Sequence, residues 1–423
     1  MKRYDTYKDS GVQWLGEIPG HWGCVRMKYL VSFINGYAFD SKNFLNEGEV
    51  AVYRISDIQN DCISTDNCVY VSHDDKFSDF EIQDNDLLIA MSGATTGKTG
   101  LVSGQRGYIN QRVGIIRSNY IHYIKYGLRM FMFLDYIVLL AEGSAQPNIS
   151  ANGICQYRLP LPPLSEQRSI VSFLDDKCGK IDEWITKKQK EVEHLQELKQ
   201  RVIADAVTRG LNPHVKMKAT NIPWLKEIPE HWENKRLAAM FTDDIETNKD
   251  FQYKRAFKFN YGCLVPKNEI GDSEEYRDVY VKYSIVNTGD ILINGLNLNY
   301  DFISQRVACA PSDGIITSAY VVCRPRPNVN YDYYTYLFKA MDSMKLFHGM
   351  GTGIRLTLSF KELKKQILPV PPIEEQLAIV MFINAKTSKI DKLIANITKE
   401  IECIKEYKQR LISDVVTGQI KVC

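Results

Sequence analysis

Residues 14–22 read WLGEIPGHW, and residues 224–232 read WLKEIPEHW. Seven of the nine positions are identical at an offset of 210. A second segment is repeated in the same way, because PLPPLSEQ at residues 160–167 returns as PVPPIEEQ at residues 369–376. Nearly half of the positions that follow these two segments are also identical, without a gap. Self-similarity at a fixed spacing is typical of repeat architectures, so the chain is a tandem duplication of about 210 residues.

The segments between the repeated blocks have diverged. Residues 23–158 and 233–367 are similar in length but share little sequence. A faint similarity remains between Asp86-Leu-Leu-Ile89 and Asp290-Ile-Leu-Ile293, two short apolar runs typical of buried strands. We therefore predict a mixed α/β (α+β) fold with two unlike globular modules, each with one of these runs in its sheet.

A long helix is predicted after each Pro-Pro pair. Proline is tolerated just before a helix, because the first N–H groups of a helix have no intrahelical partner. Apolar residues then recur at alternating steps of four and three, which is a heptad seam. Each helix extends over about 45 residues, or roughly 65–70 Å. The two seams contain Leu174, Cys178, Ile181, Ile185, Lys188, Val192, Leu195, Lys199, Val202 and Ala206, and Ile383, Thr387, Ile390, Ile394, Ile397, Ile401, Ile404, Lys408, Leu411 and Val415.

The connectivity predicts how these helices pair. Residues 165–209 carry nine basic and nine acidic side chains, and a balanced surface around an apolar stripe indicates a partner helix. The first helix leads to the second module, where the second helix starts, so facing seams require an antiparallel coiled coil with pseudo-twofold symmetry. By the same repeat, residues 1–22 are expected to dock where the second helix ends. The predicted rod is close to two turns of B-DNA in length.

The repeat also predicts the domain boundaries. They are, in chain order, a first domain at 1–158 with a scaffold segment at 1–22, a first spacer helix at 159–210, a second domain at 211–367 with a scaffold segment at 211–232, and a second spacer helix at 368–423. Trp14, Trp22, Trp224 and Trp232 are predicted to plug the joints between helix ends and modules, with His21 and His231 as hydrogen-bonded structural side chains.

Composition excludes several classes of protein. The net charge of +2 gives no global attraction to a polyanion, so any nucleic-acid surface must be local. The ten cysteines form no C-x-x-C pair, which favours a reducing, cytoplasmic location. The most apolar run, residues 130–141, is too short to span a membrane, and the N-terminal MKRYDTYKDS has no apolar signal core. Because catalytic, zinc and cofactor motifs are also missing, we predict a non-catalytic chain without metal or cofactor.

The clearest local electrostatic feature lies in the first module. No Asp or Glu occurs from Leu87 to Leu134, whereas the segment contains Lys98, Arg106, Arg112, Arg117, Lys125 and Arg129. This segregation predicts a DNA-binding surface in which Lys98, Arg106 and Arg117 face phosphates. Asn110, Gln111 and Arg112 are expected near the groove, where amide and guanidinium groups read base edges. The alternative is that these cations only solvate a strand and a helix.

A glycine-rich segment in this region resembles a phosphate-binding loop. Residues 92–99 read SGATTGKT, but a P-loop requires glycine where Ser92 stands, so nucleotide binding is disfavoured. The turn and Lys98 still offer backbone N–H groups and one charge to a DNA phosphate.

In the second module the candidate DNA-binding residues are Asn294, Asn297, Arg306 and Arg355. Asparagine and arginine pair bidentately with adenine and guanine edges. Asparagine is also a common turn residue, which is the alternative explanation.

Taken together, the sequence resembles the specificity (S) subunit of Type I restriction-modification systems over its whole length. Besides the repeated blocks, the resemblance rests on YRISDI at 53–58, LLIAMSGATTGKTGLV at 87–102, INQRVGIIR at 109–117, GSAQPNIS at 143–150, GDILING at 289–295, GIITSAYVVCRP at 314–325 and GTGIRLTLS at 351–359.

This resemblance implies two target-recognition domains, each reading one half of a bipartite, asymmetric site in double-stranded DNA. It also implies that the helices set the unread spacer and bind two methyltransferase (M) subunits, which carry the chemistry, with restriction (R) subunits as further partners. The alternative from another class is a coiled-coil scaffold that assembles protein partners without reading DNA.

The ruler idea makes a quantitative prediction. Inserting one heptad in each long helix adds ~10.5 Å of rise, which at ~3.4 Å per base pair should lengthen the spacer by about three base pairs. Mapping the methylated sites of the variant complex would measure this change, and an unchanged spacer would contradict a helical ruler.

Overall fold

The computed structural model describes residues 2–59, 62–141, 148–267, 274–303, 305–353 and 356–422. These residues form two compact units. Unit 1 comprises Met1–Lys188 and Lys399–Cys423, and unit 2 comprises Gln189–Thr398. Each unit therefore contains one module and parts of both long helices.

Unit 1 is built around a four-stranded antiparallel sheet of order β10-β9-β12-β4. A three-stranded sheet, β11-β5-β8, and three two-stranded pairs, β1-β2, β3-β13 and β6-β7, complete its strands. Its elements are β1 (Tyr7–Asp9), β2 (Glu17–Pro19), β3 (Gly23–Arg26), β4 (Ser32–Asn35), β5 (Val50–Tyr53), β6 (Ile58–Gln59), β7 (Cys62–Ile63), β8 (Val69–Val71), β9 (Leu87–Ala90), β10 (Thr99–Leu101), β11 (Tyr108–Ile109), β12 (Val113–Arg117), α1 (Ile121–Gly127), α2 (Phe131–Ala141), α3 (Ala151–Gln156), β13 (Arg158–Leu161) and the start of α4 (Leu164–Arg209).

Unit 2 has a four-stranded antiparallel sheet of order β22-β21-β24-β17, accompanied by the pairs β14-β15, β16-β25, β18-β19 and β20-β23. Its elements are β14 (Met217–Ile222), β15 (Leu225–Pro229), β16 (Glu233–Arg236), α5 (Leu237–Met240), β17 (Phe241–Thr242), β18 (Phe257–Asn260), β19 (Cys263–Pro266), α6 (Glu274–Tyr280), β20 (Ser284–Val286), β21 (Ile291–Ile293), β22 (Val307–Cys309), β23 (Gly314–Ile316), β24 (Val321–Pro325), α7 (Tyr331–Ser343), α8 (Phe360–Leu363), β25 (Ile367–Val370) and α9 (Ile373–Val416), which continues into unit 1.

The two sheets have the same chain-order plan despite their different sequences. In each, the strand predicted from the apolar run lies in the interior of the sheet, as β9 in unit 1 and β21 in unit 2, and all residues of both strands are buried. The prediction of a mixed fold with a tandem repeat is confirmed.

The long helices have the predicted extent, 46 residues in α4 and 44 in α9. Every position of the two predicted seams is buried or half-buried. A glycine with positive φ follows each helix, Gly210 directly after α4 and Gly418 two residues after α9. A Cβ at Gly418 would lie 2.4 Å from the ring of Pro19, so only glycine fits there.

Salt bridges across the seam fix the pairing of the helices in each unit. In unit 1 the Nζ of Lys408 in α9 lies 2.7 Å from Oδ1 of Asp182 in α4. In unit 2 the Nζ of Lys199 in α4 lies 2.6 Å from Oδ1 of Asp391 in α9. Within each unit the start of one helix therefore pairs with the end of the other, which confirms the antiparallel arrangement.

The N-terminal segment docks at the end of α9, as the repeat predicted. The N–H of Lys421 donates to the carbonyl of Lys2 at 2.9 Å, and the hydroxyl of Tyr7 donates to the carbonyl of Gly418 at 2.8 Å. The side-chain amide of Gln419 donates to the carbonyl of Glu17 at 2.8 Å.

Circular permutation tests this arrangement. Joining the ends near Lys2 and Lys421 and opening the chain between Leu211 and Asn212, two exposed residues after α4, should keep the thermal melting temperature within a few degrees, because no buried segment is cut. A permutant opened after the buried Ile185 is the control and should melt far lower. Equal losses in both permutants would contradict the closed scaffold.

Candidate nucleic-acid interface

The register of the unit 1 sheet divides the predicted DNA-binding residues between its two ends. Val113 lies opposite Ala90, and Ile116 lies opposite Leu87. Asn110, Gln111 and Arg112 therefore lie beside the β9–β10 turn, together with Lys98. We call this the turn end of the sheet. Arg117 lies at the other end, 2.8 Å from Asp86. Arg106 lies toward that end too, because it follows Val102, whose N–H donates to the carbonyl of Asp86.

A cleft of about 620 Å³ opens at the turn end. Gln111 and Arg112 line it, opposite Asn148. The Nη1 of Arg112 donates to Oδ1 of Asn148 at 3.3 Å, and both side chains are exposed. Gly36 also lines the cleft. This position requires glycine, because a Cβ there would lie 2.0 Å from the carbonyl oxygen of Asn110. Among the described residues that line it, the cleft thus presents one guanidinium and several amides and no carboxylate.

Arg117 is an internal ion-pair partner. Its Nε lies 2.8 Å from Oδ1 of the buried Asp86, and its Nη2 donates to the carbonyl of Glu81 at 2.8 Å. The other oxygen of Asp86 accepts the N–H of Gln83. The hydrogen bond to Asp86 raises the pKa of Arg117 above its already high usual value, so this cation stays charged and paired.

Two more cations of the basic segment also face inward. Lys125 lies 3.2 Å from Oδ1 of Asp175 on α4. Arg129 is half-buried, and desolvation lowers its pKa, while the nearby Cys178, Asp182 and Asp175 oppose the effect. The run of basic residues therefore overstates the exposed positive surface, because only Arg106 and Arg112 are exposed, while Lys98 is half-buried beside the turn.

The segment that resembles a P-loop is a β-hairpin turn. Gly97 donates to the carbonyl of Ala90, and the chain continues into β10 instead of a helix. The hydroxyl of Thr95 donates to the carbonyl of Ile55 at 3.0 Å. A P-loop opens a helix whose N-terminus holds phosphate, so this turn lacks the geometry for nucleotide binding, in agreement with the sequence analysis.

Unit 2 repeats the internal ion pair. The Nη2 of Arg324 in β24 lies 2.8 Å from Oδ2 of the buried Asp290, and this oxygen also accepts the N–H of Asn287. Arg324 further donates to the carbonyl of Ile285. The similarity between residues 86–89 and 290–293 therefore reflects a shared structural carboxylate.

Arg306, a predicted DNA-binding residue, is fully buried in unit 2. Its Nη1 donates to the carbonyls of Asn294 and Leu296 at 3.0 and 2.8 Å, and its Nη2 donates to the carbonyl of Asp301 at 2.6 Å. The N–H of Arg306 donates to the carboxylate of Asp342. Its charge is thus used to hold a loop and is not presented at the surface.

Asn294 and Asn297 lie in the connection from β21 to β22, the counterpart of the β9–β10 turn. Asn294 caps the backbone by accepting the N–H of Leu296 at 3.2 Å. Asn297 is exposed and has a φ of 52°, which favours asparagine in a turn. Arg355 lies outside the described residues.

Each unit also has exposed polar residues in a cleft that the sequence did not predict. In unit 1 Asn35, Asn148 and Asn152 line the cleft, and Asn148 belongs to the GSAQPNIS motif, which was the available signal. In unit 2 Arg255 and Lys267 line a separate cleft of about 670 Å³, where Arg255 donates to the hydroxyl of Ser312. Ser312 follows the end of β22 that is distant from the β21–β22 connection, so this cleft lies at the other end of the sheet from Asn294 and Asn297. Basic and apolar residues alternate around Arg255, as in any half-buried strand, so the sequence did not mark Arg255 as a binding residue.

Within the described parts of the chain, no group of three or more His, Cys, Asp or Glu side chains is arranged to hold a metal ion. The helices there also include none that is both long and apolar enough to cross a membrane.

The internal ion pairs predict which arginines matter for stability. Arg117→Ala and Arg324→Ala each strand a buried carboxylate, so each should lower the free energy of unfolding by about 1.5–3 kcal/mol. Arg112→Ala is the matched control and should change it by less than about 0.5 kcal/mol. Urea denaturation of the full chain measures the difference, and equal effects of Arg117→Ala and Arg112→Ala would refute the assignment.

Comparison with known proteins places the chain among known relatives. The family model described as the Type I restriction modification DNA specificity domain matches twice, at residues 19–194 and 229–403. The MjaVIII specificity subunit of a type I restriction enzyme from Methanocaldococcus jannaschii is 24% identical over 81% of this chain and 80% of its own length. The EcoBI specificity subunit from Escherichia coli is 23% identical over 97% of this chain and 89% of its own.

One solved structure has a similar fold. It concerns complex assembly and conformational transition of the type I R-M system. One of its chains superposes on this chain with a TM-score of 0.68. The match is 17% identical and covers 95% of this chain and 99% of that chain. With two family matches that span most of the sequence, this chain belongs to the Type I restriction-modification DNA specificity family.

Proposed function

We propose that this chain is the DNA-recognition subunit of a Type I restriction-modification complex and reads a bipartite, asymmetric site in double-stranded DNA. One observation carries the proposal. The two units share one sheet plan but differ in the side chains at the equivalent end of the sheet, with Arg112 and Lys98 in unit 1 and Asn294 and Asn297 in unit 2. Two unlike readers on one scaffold suit an asymmetric site.

In unit 1 the reading surface is the turn end of the sheet. Arg112 and Gln111 are exposed beside the cleft, so they supply a bidentate guanidinium and an amide to base edges. Lys98 and the backbone of the hairpin turn contact phosphate. Arg106 lies at the other end of the sheet, so its contact with phosphate is the least supported by geometry.

In unit 2 the reader is less charged. Asn297 is exposed on its loop and is suited to adenine, whereas Arg306 acts behind the surface. Arg255 and Lys267 carry exposed positive charge at the other end of the unit 2 sheet, so, like Arg106, they are less well placed to contact a phosphate of this half-site. Arg355 is retained as a predicted DNA contact.

The proposed protein partners are two methyltransferase subunits, which supply the catalysis that this chain does not, and restriction subunits. The exposed face of α9 supports protein docking, because Ile373, Leu377 and Met381 recur at helical spacing and remain exposed. Such a complex would work in the cytoplasm. A scaffold that assembles proteins without reading DNA would use the same helices.

Methylation mapping in cells tests the proposal. A bipartite methylated motif should be present with the wild-type chain, disappear when the gene is deleted and return on complementation. Arg112→Ala should lower methylation at that motif, because loss of one base or phosphate contact weakens DNA binding by about 1–3 kcal/mol. Arg106→Ala is the paired variant at the opposite end of the sheet and should have a smaller effect.

One outcome would contradict the proposed function, and another would contradict only the surface assigned to it. Unchanged methylation after deletion would favour the scaffold without DNA readout. A loss with Arg106→Ala but not with Arg112→Ala would mean that the other end of the sheet contacts DNA.

A further inference from the structure

The connection between β21 and β22 carries an unusual apolar tip. Three large side chains within four residues are exposed, at 80% for Tyr300, 53% for Phe302 and 92% for Ile303. The equivalent β9–β10 turn in unit 1 is shorter and carries no comparable aromatic side chain. Leaving such side chains in water is unfavourable, so a cluster of them marks a contact surface.

The backbone under this tip is rigidly held. The guanidinium of Arg306, fully buried, donates to three carbonyls of the loop between Asn294 and Asp301. The N–H of Ile303 donates to Oδ1 of Asp301 at 3.1 Å. Burying an arginine costs desolvation free energy. Because Arg306 is buried to support this surface loop, we infer that the loop must keep its shape.

One aromatic ring of the tip is also oriented in advance. Phe302 stacks on the imidazole of His348, with ring centroids 4.6 Å apart and planes inclined by 15°. The Nε2 of His348 donates to the carbonyl of Asp301 at 3.1 Å. One face of the Phe302 ring is therefore covered, while half of its side chain remains exposed to a partner.

The location of the tip favours DNA as its partner. It belongs to the same connection as Asn294 and Asn297, at the end of the unit 2 sheet that corresponds to the turn end of unit 1. Asp301 is the only acidic residue from Asn294 to Pro311, and it is turned toward Arg306, with 3.6 Å between Oδ2 and Nη2. The tip therefore presents mainly apolar surface, and its one carboxylate is paired with Arg306.

We propose that Phe302 and Ile303 enter the DNA duplex as an apolar wedge and unstack a base step at the half-site read by unit 2. Apolar side chains that enter between bases kink the duplex and increase its contact with protein. This inference rests on the proposed function. Because the β9–β10 turn of unit 1 carries no aromatic side chain, we expect the distortion at the half-site read by unit 2.

The experiment uses the assembled complex and duplexes with 2-aminopurine at single positions across the mapped site. Wild-type complex should raise 2-aminopurine fluorescence at one step in the unit 2 half-site. The double variant Phe302→Ser, Ile303→Ser should abolish this rise and weaken DNA binding by about 5- to 100-fold, the range expected from lost base stacking. Tyr276→Ser, at an exposed position of α6 in the same unit, is the matched control and should change neither.

Further readouts separate the alternatives. Wild-type fluorescence that stays flat while DNA is bound, or a rise that persists in the double variant, would overturn the wedge and leave the proposed function intact. If the double variant fails to assemble with the methyltransferase subunits in the absence of DNA, the tip is a protein contact. That result would also overturn the wedge. A wild-type complex that binds no specific DNA would instead refute the proposed function.

Discussion

A carboxylate at the first turn of each long helix joins the scaffold to its module. In unit 1, Oε2 of Glu166 accepts the indole N–H of the buried Trp22 at 3.1 Å, and Oε1 lies 2.6 Å from Nε2 of His21. In unit 2, Oε2 of Glu375 accepts the indole N–H of Trp232 at 2.9 Å and lies 2.7 Å from Nε2 of His231. Partial burial by itself raises the pKa of Glu166, but hydrogen bonds from His21, Tyr4 and Trp22 outweigh it and lower that pKa, so the acceptor stays ionised. Each joint connects the segment before a module to the helix after it. A module is thus inserted between two fixed points, and its sequence can change while the scaffold stays the same.

This organisation explains which features the sequence could reveal. The repeated blocks form the joints, the seams and the docked N-terminal segment, and these were predictable because their spacing in the sequence is the spacing of contacts in the fold. The two histidines were predicted as hydrogen-bonded structural side chains and are so. The tryptophans were predicted less well. Trp22 and Trp232 are buried plugs, but Trp14 is exposed on one side and stacks on Tyr157 with centroids 4.9 Å apart. A tryptophan that stacks on an aromatic ring at the surface cannot be told from a buried tryptophan by its sequence alone.

The candidate site was harder to predict, because one sequence does not tell a paired charge from an exposed one. Arg112 and Arg117 are five residues apart in a segment without acids, yet the first lines an exposed cleft and the second meets a carboxylate 31 positions earlier in the chain. The partner was visible in the similarity between Asp86 and Asp290, but the divergent sequences around Arg117 and Arg324 concealed the arginines. Only the strand register, which places residue 117 beside residue 86, connects the two.

The two sheets also show how one architecture supports different chemistry at the same place. The ion pairs Asp86–Arg117 and Asp290–Arg324 stabilise the end of each sheet that is distant from the hairpin connection. The connection itself is then free to vary, since it takes no part in the shared pairing. In unit 1 it is a tight turn next to an exposed guanidinium. In unit 2 it is a longer loop whose cation, Arg306, is withdrawn into the protein to satisfy carbonyls. Such a loop forgoes long-range attraction to phosphate and relies on short-range contacts, which depend on the shape and identity of the surface it meets.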